Sequence, residues 1–243
     1  MRNNFSVINI YKKKNIKSEV VTQLLYGENF RILSQSKNWL KIKNYSDNYK
    51  GYILKKKFAD SQKNTHKTYK LSTKLYSKPS KKSKIKTKLS FGSRVKITKE
   101  SGVFCKFDKF WVEKKNLKKI NVKTKNLFID AKKFINIKYK WGGKHFNGLD
   151  CSALVQLCLN YNNQFCPRDT KDQIKYFKKK ITLKNMKRND LIFWKGHVAI
   201  LTSKKKLIHA YGPLKKTIEM PIDKTIDRIK KTANLNVIGI RRT

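Results

Sequence analysis

The stretch YKWGGKHFNGLDCSALVQ, from Tyr139 to Gln156, decides the fold of the C-terminal half of the chain. Its three glycines predict a turn in which the backbone can pass close to a ligand. Apolar residues at helical spacing follow in residues 151–163, so a helix is expected to begin where the glycine-rich turn ends. The pattern therefore predicts that Cys151 lies at the N-terminus of that helix.

A cysteine at a helix N-terminus is suited to nucleophilic chemistry. The positive end of the helix dipole favours the thiolate, so the pKa of the Cys151 thiol is expected to be lowered. The thiolate is the nucleophile in acyl transfer, and backbone N–H groups at a helix start can stabilise an oxyanion. Because a lone cysteine at such a place is more often a small buried residue, the hypothesis needs a partner base.

The chain has four histidines, and two of them suit the roles of base and orienting residue. His66 falls in a predicted linker and His145 in the glycine-rich turn. His197 opens the apolar run HVAIL, and His209 lies in the next run, LIHAYG. If these runs are neighbouring antiparallel strands, both imidazoles can share one face, where His197 accepts the proton of Cys151 and His209 orients His197.

The elements around these residues predict an α+β domain from residue 123 to residue 243. Helical spacing is seen in residues 127–137, 151–163 and 170–180, and the last of these helices has Thr170 as its expected N-cap. Four short apolar runs that are typical of strands follow, in residues 190–195, 197–203, 206–212 and 237–242. Helices that precede strands in this way favour an α+β fold.

The N-terminal half shows a pattern of short strands twice, which predicts a tandem repeat of two small all-β barrels at residues 1–62 and 68–121. TQLLYGENFRIL at 22–33 is similar to TKLSFGSRVKIT at 87–98, and each copy has a tryptophan near its last strands. Residues 63–67 are predicted to be a linker. A single irregular β domain is the alternative.

The formal charge is extreme, with 60 Lys and Arg against 15 Asp and Glu and a net charge of +45. Such a charge attracts polyanions in a salt-dependent way. The lysine runs are scattered along the whole chain, whereas a dedicated nucleic-acid surface is usually concentrated on one element. Drift in composition is therefore favoured over a specific nucleic-acid partner, while nonspecific polyanion binding stays open.

The remaining composition indicates free thiols, no metal and no membrane insertion. None of the four cysteines forms a CxxC pair, so zinc is not expected, and without a secretion signal free thiols are favoured over disulfides. Neither a signal peptide nor an apolar stretch of about 20 residues is visible. These features predict a cytoplasmic location and no cofactor.

Four motifs of the C-terminal half resemble those of the NlpC-type family of papain-like cysteine peptidases, and they occur in the family's order. YKWGG with GLDCSALVQ resembles the nucleophile motif, and CPRDTKDQ at 166–173 resembles the segment after the nucleophile helix. NDLIFWKGHVAIL at 189–201 resembles the base motif, and LIHAYG at 207–212 the motif of the third residue. The likeness covers residues 123–243 and implies cleavage of peptidoglycan stem peptides.

The resemblance implies a role for each matching position. Cys151 becomes the nucleophile, His197 the base and His209 the orienting residue, while the hydroxyl of Tyr139 lines the active site. Asn189 departs from the family pattern, which commonly has glycine there, and this departure concerns a turn. Because the cysteine precedes the histidine, hydrolysis is favoured over the permuted acyltransferases of the same superfamily.

The N-terminal repeats resemble bacterial SH3-like domains, in particular the first such domain of cytoplasmic wall-recycling endopeptidases. This resemblance implies cleavage of the γ-D-glutamyl–diaminopimelate bond in peptides that begin with a free L-Ala amine. Arg168 is then expected to bind a substrate carboxylate and Trp141 to form a wall of the site. The residues that the resemblance assigns to capture of the amine are Glu19, Tyr49, Asp150, Ser152 and Asp169.

Two other functions stay open from the sequence. One is a secreted hydrolase of intact peptidoglycan, whose basic N-terminal domains bind the anionic wall. The other is a non-catalytic protein that binds nucleic acid or wall polymer through its charge. The complete set of Cys151, His197 and His209 favours an enzyme, because a binding protein does not need all three.

Overall fold

A computed structural model describes all residues of the chain, 1–243, and its contacts divide them into two compact units. The N-terminal unit consists of Met1–Val122 together with Lys144–Phe146. The C-terminal unit consists of Lys123–Gly143 and Asn147–Thr243. The division after Val122 lies next to the predicted boundary, whereas the separation of the first half into two domains stays a prediction.

The N-terminal unit is built from two five-stranded antiparallel sheets and one three-stranded sheet. In the first sheet the strand order is β2-β1-β5-β4-β3, and in the second it is β10-β11-β12-β7-β8. The small third sheet has the order β13-β6-β9. The strands are β1 Val7–Tyr11, β2 Val20–Leu25, β3 Phe30–Gln35, β4 Trp39–Asn44, β5 Lys50–Leu54, β6 His66–Thr68, β7 Ser72–Tyr76, β8 Ile85–Ser90, β9 Arg94–Val95, β10 Lys99–Ser101, β11 Phe104–Phe107, β12 Phe110–Glu113 and β13 Leu117–Lys119.

The internal repeat seen in the sequence has a counterpart in the sheets. The strands β7, β8, β10, β11 and β12 can be matched in turn to β1, β2, β3, β4 and β5. The order of the second sheet, read from β8 to β10, is then the same as the order of the first sheet, read from β2 to β3. Gly27 and Gly92, which occupy equivalent places in the two similar segments, have φ angles of +78° and +80°. Each follows a fully buried aromatic residue, Tyr26 or Phe91, so the two copies turn in the same way after their second strand.

The predicted linker at residues 63–67 is wrong at its C-terminal end. His66 and Lys67 belong to β6, which pairs with β9 and β13. The Lys67 side chain is buried and its Nζ donates a hydrogen bond to the carbonyl of Val122 at 2.5 Å. A lysine side chain is normally solvated. The side chain of Lys67 can be buried because its ammonium group donates a hydrogen bond to a backbone carbonyl.

Strand β14, Lys144–His145, belongs to the N-terminal unit by its contacts. The elements of the C-terminal unit are β15 Gly148–Leu149, α1 Cys151–Tyr161, α2 Thr170–Tyr176, β16 Lys179–Ile181, β17 Leu191–Trp194, β18 His197–Leu201, β19 Lys206–Tyr211, β20 Lys216–Pro221, α3 Ile222–Ala233 and β21 Gly239–Arg242. Its strands form a six-stranded antiparallel sheet of order β16-β21-β17-β18-β19-β20, and the unit is an α+β structure, as the sequence predicts.

Two predicted helices differ from the structure. Residues 127–137 contain only a 3-10 helix, Ile129–Phe134, and the chain leaves it through Asn136 with a positive φ of 67°. The helix predicted for 170–180 ends at Tyr176, because Lys179 and Lys180 pair with β21 as part of β16. Thr170 is the first residue of α2, and Asp169 occupies the N-cap position without a side-chain capping bond.

The helix that the sequence predicts most clearly is confirmed as α1, and it is buried over nearly its whole length. Asp150 caps its N-terminus, with Oδ1 accepting a hydrogen bond from Ala153 N at 2.9 Å. α1 contacts β18 and β19 of the sheet, and this contact brings the helix start close to the start of β18. In no part of the structure is a helix long and apolar enough to cross a membrane.

Candidate active site

Cys151 is the first residue of α1 and is buried, as are the other three cysteines, all of which are free thiols. The backbone N–H groups of Val198 and Ser152 hydrogen-bond to its sulfur and favour the thiolate. Val198 directly follows His197 at the start of β18. The sequence-predicted nucleophile and the sequence-predicted base therefore meet where α1 and β18 begin.

His197 and His209 lie on neighbouring antiparallel strands, as the sequence predicts. The register pairs Ile200 with Ile208 and Leu201 with Leu207, which puts the two histidines on the same face of β18 and β19. Nε2 of His197 lies 2.9 Å from Nδ1 of His209. Since this contact uses Nε2 of His197, its Nδ1 is the nitrogen that remains for the thiol.

Aromatic rings pack against both imidazoles, of which His209 is fully buried and His197 partly buried. His209 stacks on Tyr211 with ring centroids 4.6 Å apart and an interplanar angle of 8°, and His197 lies 5.7 Å from the ring of Trp194. His209 is completely buried, and its Nε2 has no hydrogen-bond partner. This environment holds both rings in place and favours their neutral forms.

The predicted lowering of the pKa of the Cys151 thiol is wrong. Burial, reinforced by the negative charge of Asp150, raises the pKa of Cys151 to about 12, despite the backbone N–H groups that favour the thiolate. Burial also lowers the pKa of His197 to about 4. Desolvation outweighs the helix dipole because the whole helix start is covered, so a neutral thiol faces a neutral imidazole at pH 7.

Asp150, Ser152 and Arg168 form one buried network beside the nucleophile. Arg168 donates to both carboxylate oxygens of Asp150, at 3.0 Å and 2.6 Å, and to the hydroxyl oxygen of Ser152 at 2.7 Å. Asp150 also accepts from the backbone N–H of Gly142 at 2.9 Å. The network connects the glycine-rich turn to the start of α1.

This network gives Arg168 a structural partner within the protein. Its side chain is almost completely buried and its guanidinium binds Asp150 bidentately, while its expected contact with a substrate carboxylate stays a prediction. Asp150 in turn has its charge compensated by Arg168, which leaves it a weaker ligand for a substrate ammonium than the sequence suggests. Both residues stabilise the loop on which Cys151 depends, while capture of the amine by Asp150 and Ser152 stays a prediction.

Tyr139 lies close to the nucleophile, in agreement with the position that the sequence predicts for it. Burial first, and then the nearby Cys151 and Asp150, raise the pKa of its hydroxyl well above the usual value. Its backbone bridges to Leu149, two residues before Cys151, and its N–H donates to the carbonyl of Lys215 at 2.9 Å. A protonated hydroxyl is thereby held beside the thiol. Trp141 is 60 % exposed, and its role as a wall of the site stays a prediction.

The remaining residues assigned to the amine lie apart along the chain. Asp169 is half-buried at the start of α2, in the segment that follows α1. Glu19 and Tyr49 belong to the N-terminal unit, where the register of β1 with β2 and β5 puts both at the same end of the first sheet. Glu19 also forms an exposed ion pair with Lys12 at 3.0 Å. Their shared role stays a prediction.

The N-terminal unit contains a buried ion pair between Lys144 and Glu28 that the sequence does not predict. Nζ of Lys144 lies 2.8 Å and 3.0 Å from the two carboxylate oxygens of Glu28, and its backbone N–H donates to Oε1 of Gln23 at 2.7 Å. Lys144 belongs to the glycine-rich motif that precedes Cys151. A lone acidic residue among turn residues and a lysine in a lysine-rich chain are normally solvated, so only the fold reveals the pair.

The six-stranded sheet with its buried helix, cysteine and paired histidines defines a papain-like cysteine-peptidase fold. Residues 136–228 match the NlpC/P60 family, and residues 10–58 match the bacterial dipeptidyl-peptidase Sh3 domain. The resemblance seen in the motifs is thereby confirmed: the NlpC/P60 match falls largely within the C-terminal unit, and the Sh3 match falls within the N-terminal unit. Asn189, which departs from the motif, has a φ of 74°, a conformation that asparagine tolerates best after glycine.

Three known proteins are similar to this chain over part or nearly all of its length. Dipeptidyl-peptidase 6 of Lysinibacillus sphaericus is 34% identical over 85 residues, which span 35% of this chain and only 31% of that protein. The structure of an NlpC/P60 family protein from Bacillus cereus has a TM-score of 0.83 at 17% identity, over 99% of this chain and 98% of the other. An NlpC/P60 endopeptidase from Photobacterium damselae has a TM-score of 0.66 at 13% identity, over 96% and 69% of the two chains. At these identities the two structures show the fold alone.

Proposed function

We propose that the protein is a cysteine endopeptidase that hydrolyses the γ-D-glutamyl–diaminopimelate bond of peptidoglycan stem peptides. The observation that carries this proposal is the arrangement of Cys151, His197 and His209 at the start of α1 and on β18 and β19. The match of residues 136–228 to the NlpC/P60 family supports the substrate class. No metal or cofactor takes part in the proposed reaction.

The reaction begins with attack of Cys151 on the γ-carbonyl carbon of the D-glutamyl residue. As Sγ forms its bond to carbon, Nδ1 of His197 takes the thiol proton, because neither group is ionised at neutral pH beforehand. The carbonyl oxygen becomes an oxyanion at the N-terminus of α1, where backbone N–H groups and the helix dipole stabilise it.

His197 then returns the proton to the leaving amine. The C–N bond breaks, the diaminopimelate amine departs, and a thioester joins the γ-carbonyl to Cys151. A water molecule gives a proton to His197 and attacks the thioester, which releases the carboxylic acid and restores the thiol. Throughout, His209 accepts the Nε2–H of His197 through its Nδ1, at the observed 2.9 Å, and holds the tautomer in which Nδ1 can act as base.

Two matches to dipeptidyl-peptidases support a substrate that begins with a free dipeptide. Both the Sh3 domain that residues 10–58 match and the relative from Lysinibacillus sphaericus carry that name. A dipeptidyl-peptidase that cuts after D-glutamate releases L-Ala-D-Glu and therefore needs a substrate with a free N-terminal amine. We assign recognition of this amine to Asp169, which lies in the segment after α1, and we place the activity in the recycling of wall peptides.

A comparison of two peptides tests the substrate assignment. Purified protein is incubated with L-Ala-γ-D-Glu-diaminopimelate and with a copy whose N-terminus is acetylated, and the products are separated by mass. We expect L-Ala-D-Glu to be released from the free peptide at least tenfold faster. Equal cleavage of both peptides would remove the amine-recognition assignment and favour a hydrolase of intact peptidoglycan. Cleavage of neither, with retained salt-sensitive binding to wall polymer, would favour the binding-protein alternative.

A further inference from the structure

The N-terminal unit contains a second candidate site, a cavity of about 780 Å³ that none of the proposed catalytic residues lines. A cavity of this volume is in the range that holds small organic ligands. Two apolar rings, Phe5 and Phe58, pack edge to face in its wall with centroids 5.9 Å apart, and Phe110 is the third ring. Its polar and small lining residues are Arg2, Asn4, Ser6, Tyr26, Lys57, Ala59, Lys86, Thr87, Asp108 and Lys109.

Arg2 is the residue that indicates what the cavity binds. Its side chain is only 6% exposed, Nη2 donates to Asp108 at 2.7 Å, and the hydroxyl of Tyr26 also lies within hydrogen-bonding reach of the guanidinium. The other two nitrogens, Nε and Nη1, are buried and have no hydrogen-bond partner in the protein. Buried donors of a charged group are normally hydrogen-bonded, so a polar partner is expected beside Arg2.

The charges around Arg2 favour an anion. Lys57, Lys86 and Lys109 line the same cavity, and Asp108 is its only acidic lining residue. Both carboxylate oxygens of Asp108 are already used, one by Arg2 and the other by the hydroxyl of Tyr26. An excess of positive charge therefore remains beside the unsatisfied donors, and a phosphate or carboxylate group complements it.

The backbone of the site is held in place by the sheets, so the arrangement exists before a ligand binds. Arg2 N donates to the carbonyl of Ala59 at 2.8 Å, which fixes the first residues of the chain against the end of the first copy of the repeat. Asp108 occupies the tight turn between β11 and β12 with a φ of 44°. Arg2 also lies over the ring of Tyr26, 6.0 Å from its centroid.

We propose that this cavity binds a small organic anion, in which a phosphate or carboxylate group contacts Arg2 and the lysines and an apolar portion contacts the phenylalanine rings. This site is separate from the proposed peptidase activity and does not depend on it.

Titration calorimetry with phenyl phosphate and phenylacetate tests the proposal on the full chain, with inorganic phosphate as the probe that lacks an apolar portion. We expect saturable binding of one equivalent of at least one aromatic anion, and weaker binding of inorganic phosphate. Arg2→Met is expected to weaken binding more than tenfold, since a charge-assisted hydrogen bond contributes about 1.5–3 kcal/mol. If Arg2→Met does not fold, substitutions of the exposed lysines Lys86 and Lys109 test the same proposal. Lys86→Gln and Lys109→Gln are each expected to weaken binding about twofold to fivefold.

Lys99→Gln is the matched control, because it removes one exposed lysine of the same unit outside the cavity. Its affinity is expected to equal that of the unmodified protein. Equal weakening by Lys86→Gln, Lys109→Gln and Lys99→Gln would mean that only the overall charge attracts the anion, and the proposal would fall. The proposal would also be overturned if none of the three anions showed saturable binding.

Discussion

Nε2 of His197 and Nδ1 of His209 lie 2.9 Å apart, on one face of two paired strands. This distance fixes which nitrogen of His197 is left for Cys151. It also requires that Nδ1 of His209 accept a hydrogen bond from Nε2–H of His197, rather than donate one, whenever His197 acts as base through Nδ1. The orientation of the base therefore depends on a neutral imidazole that is itself fully buried.

Replacement of His209 tests this dependence. His209→Leu removes the acceptor while it keeps an apolar group of similar size, and we expect kcat to fall at least about hundredfold with little change in KM. His209→Asn retains a side-chain oxygen acceptor and is expected to recover a large part of that loss. Equal activities of the two variants would show that hydrogen bonding by residue 209 does not orient His197.

The pH dependence of activity follows from the burial of His197. Its pKa is lowered to about 4, so the base is in its neutral, active form at pH 5, where an ordinary histidine with a pKa of about 6.5 is mostly protonated. We expect kcat/KM for the free-amine peptide to keep most of its value from pH 7 down to pH 5 and to fall as the pH approaches 4. An acid limb centred near pH 6.5 would contradict the geometry of a buried base.

The stability of the C-terminal unit depends on pH for the same reason. His197 and His209 have pKa values lowered by burial, so between pH 6.5 and about 4 the unfolded chain binds more protons than the folded one. The contribution of these two histidines to the free energy of unfolding is thus fully present above pH 6.5. It decreases as the pH is lowered towards 4, by up to about 1.4 kcal/mol per pH unit for each histidine. Urea unfolding at pH 7 and pH 5, followed through the tryptophans, measures this. A His197→Gln, His209→Gln double variant is expected to lose most of the pH dependence.

The ion pair between Arg168 and Asp150 is expected to contribute to folding rather than to substrate affinity. Arg168→Met leaves the buried carboxylate of Asp150 without its cation, and we expect the free energy of unfolding to fall by about 3–5 kcal/mol. Arg228→Met, at an exposed position of α3, serves as control and is expected to change stability by less than about 0.5 kcal/mol. An Arg168→Met protein with unchanged stability and a raised KM would instead support a direct contact with the substrate carboxylate.

Sequence motifs predict the positions of Cys151, His197 and His209 because these residues lie in regular elements. The start of α1 follows from a glycine-rich turn and a run of apolar residues, and the alternation in β18 and β19 puts His197 and His209 on one face. The α+β fold and the internal repeat follow from the same local patterns. In each case the interaction that decides the structure is short-range in sequence.

The parts that the sequence does not predict depend on long-range pairing. Lys144 forms an ion pair with Glu28, which lies more than a hundred residues earlier in the chain, and Arg168 forms an ion pair with Asp150. The lowered thiol pKa was expected from the helix dipole alone, whereas burial of the helix start has the opposite and larger effect. Strand β20 and helix α3 were also missed, because the basic residues between 215 and 231 obscure their pattern.

The most direct test of the account compares Cys151→Ala with Cys158→Ala in hydrolysis of L-Ala-γ-D-Glu-diaminopimelate. Both variants remove one buried thiol from α1, but only Cys151 lies at the helix start beside Val198. After circular dichroism has shown that both are folded, we expect Cys158→Ala to retain most of the activity and Cys151→Ala to release no L-Ala-D-Glu. Release of the dipeptide by folded Cys151→Ala at a comparable rate would contradict the assignment of the nucleophile.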